Sequence, residues 1–78
     1  MRLISEILRK KRESLKRRDK RWTQEFTAKF LGVSKRAYEY WESNQQEPEG
    51  LYRREVREFL STGNRRLWIL GKAVDETF

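Results

Sequence analysis

Leu3, Ile4, Ile7, Leu8 and Leu15 recur at intervals of a helical turn, with a gap at Lys11, and this spacing predicts an amphipathic helix over residues 2–17. Its polar face is nearly all cationic. The next stretch, RRDKR at 17–21, has no apolar residue to anchor it and reads as a frayed end and a loop. Thr23 then offers a hydroxyl cap for a second helix over 24–31, which Gly32 ends by supplying the left-handed conformation that favours glycine. Ser34 caps a third helix over 35–43, whose inward positions are Tyr38 and Trp41, and Asn44 can close it as glycine often does. NQQEPEG at 44–50 is a connector, because Pro48 forbids helix through Glu47. Leu51, Tyr52, Val56, Phe59 and Leu60 then lie on one side of a fourth helix, with Arg53, Arg54, Arg57 and Glu58 outside. STGN breaks it. In the last segment Leu67, Leu70 and Val74 fit a helix, whereas the run LWIL would also suit a buried strand; we favour a short helix. The expected fold is all-α, with four to five helices in one compact domain over 1–63 and a C-terminal segment, 64–78, that is a candidate dimerisation element.

Seventy-eight residues leave room for one domain with a small core, so a cleft flanked by two lobes is not expected. Three Trp, three Tyr and four Phe supply enough bulk to fold a chain in which 40% of residues are charged. Net charge is +7, and its placement changes the picture more than its size. Residues 1–21 carry ten basic residues against three acidic, while the remaining 57 carry nine of each sign. The whole excess therefore belongs to the first segment, and a polyanion partner follows, since clustered Lys and Arg release condensed counterions from nucleic acid. The bland alternative is a solvated helix face that aids solubility. Neither Cys nor His is present, which removes disulfides, thiolate metal sites, and the commonest general base. The longest apolar run, 67–70, is far short of the ~20 residues that span a bilayer. No export signal is visible, so a cytoplasmic, nucleoid-associated location is expected.

The stretch from Thr23 to Trp41 imposes a geometry. Two helices joined by a short turn cross steeply, and the crossing demands a small residue, which Ala28 provides four positions before Gly32. With Tyr38 and Trp41 turned inward, the other face of the third helix carries Lys35, Arg36, Glu39 and Tyr40 to solvent. A projecting helix with cations at its N-terminal end has the shape that enters the DNA major groove.

TQEFTAKFLGVSKRAYEYWESNQQEP resembles the helix-turn-helix of the lambda-repressor/Cro-like (XRE) DNA-binding domains. Thr23, Gln24, Ala28, Leu31, Gly32, Val33, Ser34, Trp41, Glu42 and Pro48 all match that pattern in register. The match covers about a third of the chain strongly, and flanking helices in the expected order extend it to roughly residues 3–60. The resemblance implies a helix-turn-helix at about 23–43. It also implies that Gln24 binds a DNA phosphate, that Lys35, Arg36 and Tyr40 read base edges with Glu39 a fourth contact, and that Glu42 pairs with an arginine of helix 1. Arg12 and Arg17 are equally eligible for that clamp. Thr23, Ser34 and Asn44 at the helix ends, and Arg17, Arg18, Lys20 and Arg21 in the long join after helix 1, complete the phosphate candidates. The chemistry agrees independently: arginine forks onto guanine O6 and N7, lysine reaches the same atoms, and Tyr40 offers a ring for a thymine methyl and a hydroxyl for phosphate. One departure stands out. Phe26 and Thr27 are exchanged relative to the family's usual bulky residue before the alanine, so Phe26 and Phe30 share a face that packs on the C-terminal segment or on a partner.

What the resemblance implies is a sequence-specific DNA-binding regulator of phage, plasmid or antitoxin type, repressing as a homodimer on a palindromic operator, with no cofactor, membrane or small-molecule substrate. RRLWIL at 65–70 is the candidate pairing surface, with core filling beneath helix 1 as the alternative. Two other classes remain open: a small RNA-binding or ribosome-associated protein gripping phosphates through helix 1, and a protein-interaction adaptor. An enzyme ranks last, because no nucleophile-base pair, metal cluster or phosphate-cradling glycine motif can be named.

Overall fold

Trp22 is the residue around which the helices assemble. In a computed structural model that describes residues 3–77, with side chains through residue 74, the chain folds as α1 (Ile4–Arg18), α2 (Gln24–Leu31), α3 (Lys35–Glu42), α4 (Leu51–Ser61) and α5 (Asn64–Thr77). Among the described residues there is no strand, and no helix is long and apolar enough to cross a membrane. The indole of Trp22 is fully buried, edge-on to Phe26 at 4.9 Å and to Phe30 at 5.3 Å, and stacked on Phe59 of α4 at 6.1 Å. It precedes the cap of α2, the position from which an apolar residue commonly folds back onto the helix it introduces. Leu8 and Leu15 of α1, Ala28 and Leu31 of α2, Tyr38 and Trp41 of α3, Val56 of α4 and Leu67 of α5 complete the core.

The local signals for α2 and α3 operate as their chemistry dictates. Thr23 Oγ1 accepts from the Phe26 amide at 3.1 Å and Ser34 Oγ from the Ala37 amide at 3.1 Å, each satisfying a first-turn donor. Gly32 closes α2 at φ 78°, and Asn44 takes φ 63° just past α3, where the amides of Gln45 and Gln46 turn back to the Tyr40 carbonyl. The exchange at 26 and 27 is resolved by packing. Thr27 is fully buried and donates its hydroxyl to the Thr23 carbonyl at 2.8 Å, so its polar atom costs the core little. Phe26 meets α5 at Gly71, where a Cβ would stand 3.4 Å from the phenyl ring and 2.9 Å from the Trp22 indole.

Several expectations need correction. α1 starts at Ile4, and Leu3, expected on its buried face, is 49% exposed at the cap position. Residues 17–21 are not frayed: α1 runs through Arg18, and Asp19 then accepts from the Arg21 amide at 3.2 Å and from the Arg21 guanidinium at 2.7 Å, making a compact turn before Trp22. On α4, Leu51 is 83% exposed and Tyr52 half-exposed, because Val56 and Phe59 alone fix which side meets the core. Tyr52 packs on the outside of Trp41, with ring centroids 5.9 Å apart. The C-terminal segment is a helix of 14 residues, longer than expected, and it buries Leu67 while leaving Leu70 40% exposed.

Candidate nucleic-acid interface

The N-termini of α2 and α3 open beside one flank of α1, and together they line a shallow cleft of 390 Å³ formed by Arg12, Lys16, Thr23, Gln24, Glu25 and Lys35. Helix N-termini present unsatisfied amides and the positive end of the peptide dipoles, so a cleft built from two of them favours anions. The hydroxyls of Thr23 and Ser34 accept the capping bonds, which leaves each O–H free to donate outward. Lys16 and Lys35 add two exposed ammonium groups.

Beneath the cleft lies a buried polar knot. Glu42 Oε2 accepts from Arg12 Nε at 2.6 Å, and Oε1 accepts from the second arm of that guanidinium at 3.1 Å and from Gln24 Nε2 at 3.2 Å. The two charged side chains retain only 11% and 5% of their exposure. Arg12, not Arg17, is thus the partner of Glu42, and Gln24 turns its amide inward to the same carboxylate. Burial pushes the Glu42 carboxyl up, but hydrogen bonding from Arg12, with Tyr38, the Arg12 charge and Gln24 behind it, outweighs this and holds the pKa below the usual value. Hydrogen bonding to Glu42 raises the Arg12 pKa against the opposing effect of burial. The Tyr38 hydroxyl is buried beside this carboxylate, and its pKa is raised, first by burial and then by Glu42.

From this base α3 projects its outer face. Lys35 and Arg36 are exposed, Glu39 and Tyr40 half-exposed, and Lys35 lies 3.8 Å from Glu39 one turn on. That solvated contact contributes a few tenths of a kcal/mol at most. Asn44 is exposed beyond the end of the helix.

The phosphate candidates at and beyond the end of α1 do not form one group. Arg17 and Lys20 are exposed. Arg21 is held by Asp19 and its guanidinium lies 5.8 Å from the Phe26 ring. Arg18 stands over the Trp68 ring at 5.2 Å and lines a different groove with Arg65 and Ile69. Lys16, absent from the sequence-derived set, is the α1 cation that shares the cleft with Lys35. The signal for it was available: Lys16 is one turn beyond Arg12, so whichever flank of α1 carries the clamp also carries Lys16. Compared with known proteins, the chain matches no family model, no curated protein and no solved structure.

Proposed function

We propose that the chain is a sequence-specific duplex-DNA-binding regulator, with α2 and α3 acting as a lambda-repressor-like helix-turn-helix and α3 entering the major groove. The observation that carries this is the juxtaposition of the anion-favouring cleft at the α2 and α3 N-termini with the exposed Lys35 and Arg36 face. Backbone phosphate seats in the cleft against Lys16, the Thr23 hydroxyl and the first amides of α2, and Ser34 and Asn44 reach the strand at either end of α3. Lys35, Arg36 and Tyr40 face the base edges, with Glu39 available to accept from cytosine N4. Gln24 orients the assembly through Glu42 and leaves phosphate binding to its own backbone amide. Regulation is repression by occupancy of promoter DNA, and two copies read a palindrome because one module makes too few contacts for tight specific binding.

Selection from a random duplex pool, at two salt concentrations, tests this with the wild type and a Lys35→Ala/Arg36→Ala variant. The expected result is a palindromic motif that the variant relaxes, each lost bidentate contact reducing discrimination by about 1–3 kcal/mol. Recovery of no motif, with the variant binding as well as the wild type, would remove the assignment. Preference for structured RNA over duplex would move it to the RNA-binding class.

A further inference from the structure

Arg18 and Lys16 are two positions apart on α1, which at 3.6 residues per turn sets them about 200° apart around the helix. They therefore face opposite flanks. The Lys16 flank belongs to the cleft beside α3, whereas the Arg18 flank faces α5, where Arg18, Arg65, Trp68 and Ile69 line a groove of 480 Å³. The Trp68 indole is half-buried and fixed by donation from Nε1 to the Leu15 carbonyl at 3.1 Å, and the ring carries the Arg18 guanidinium at 5.2 Å. A guanidinium drawn over an aromatic face keeps N–H edges free to meet a planar or tetrahedral oxyanion. Arg65 supplies a second guanidinium across the groove, and no carboxylate among the described residues pairs with either arginine.

We propose that the Arg18–Trp68–Arg65 groove is a second DNA-backbone site, which lets one protomer hold a second duplex segment while α3 occupies the first. The partner follows from charge: two guanidinium groups without a carboxylate partner among the described residues, set beside an aromatic ring, suit the phosphates of a nucleic-acid backbone, which are contacted without reading base edges. Its position on the far flank of α1 keeps it clear of the segment at α3. The second segment is bound without sequence preference, and the bridge weakens steeply with salt.

The inference rests on the DNA-binding reading, and two readouts keep the two apart. Affinity for a single fluorescent 24-bp duplex in solution reports the α3 site. Capture of that duplex by protein preloaded on a bead-bound 24-bp duplex of different sequence reports bridging. For Arg18→Ala/Arg65→Ala the expected result is single-duplex affinity within about threefold of wild type, with capture reduced about tenfold or more as two phosphate contacts are lost. Thermal unfolding confirms that the variant is folded, and Arg18→Lys/Arg65→Lys, which keeps charge without the planar guanidinium fork, should recover part of the capture. Lys35→Ala/Arg36→Ala tests the other side, since a dimer using two α3 faces would lose capture with that variant alone. Full capture by Arg18→Ala/Arg65→Ala, or capture lost only in step with single-duplex affinity, would overturn the second site and leave the first intact. Absence of any duplex binding by the wild type would instead overturn the reading on which it rests.

Discussion

Glu42 joins three helices through one carboxylate, taking Arg12 from α1 and Gln24 from α2 while it sits near the end of α3. Glu42→Ala leaves the Arg12 guanidinium buried and unpaired, and is expected to lower unfolding free energy by about 3 kcal/mol in denaturant titration. Replacing both partners, as Arg12→Met/Glu42→Leu, should cost less than either single change, because no uncompensated charge remains. A pH dependence follows from the same pair. The carboxyls of Glu42 and Asp19 titrate below their ordinary values of 4.5 and 3.8 in the folded chain, for Asp19 chiefly through hydrogen bonds from Arg21. Each contribution is fully present above those ordinary values and is lost as pH falls through the depressed ones. Acid unfolding of the wild type should therefore be steeper than that of Glu42→Gln, followed by circular dichroism. That Glu42 clamps the fold was expected from the family resemblance, whose pattern places a glutamate after the tryptophan, and the structure shows the pairing. Its choice of Arg12 over Arg17 was not legible, because the two differ by five residues, and only the packing of α1 on α3 decides which flank faces the carboxylate.

At the scale of elements, two glycines fail differently when given a side chain. Gly71→Ala drives a methyl against the buried Trp22 indole, 2.9 Å from Cζ2, and should destabilise by about 1–2 kcal/mol despite alanine's better helix propensity. Gly32→Ala meets open space but must hold φ 78°, which costs about 1 kcal/mol. Thermal melts of both variants check the ranking. Caps, the glycine stop and Asn44 could be read directly because they act within three or four residues of themselves. Helix faces were legible only where both neighbours of a helix were constrained. Leu51 and Tyr52 have the spacing of Val56 and Phe59, yet the first turn of α4 projects past the core edge. Trp22 escaped periodicity altogether, since it sits in a turn among charges and earns its burial from three different helices.

The whole molecule measures 32 Å along its longest axis, about one turn of duplex or less, so under the proposed DNA-binding reading a single protomer addresses one half-site. The two-fold pairing proposed above needs a surface outside the far groove, and the side of α5 that carries Leu70, 40% exposed and not among the residues lining that groove, is the one we assign to it. Leu70→Lys should shift sedimentation toward monomer and weaken binding to a palindromic site far more than to a single half-site. The first segment's charge surplus, legible as a polyanion signal, spreads over two flanks of α1, a division that no count along the chain could show. The three indoles offer a way to watch these surfaces separately. Trp22 is sealed in the centre, Trp41 lies beneath α3 against Tyr52, and Trp68 rests under the Arg18 guanidinium. Each can be left as the sole emitter by replacing the other two with Phe. The chain thereby carries its own optical labels: one shielded from acrylamide until unfolding, one set in α3, and one whose quenching should fall if the proposed far groove is filled.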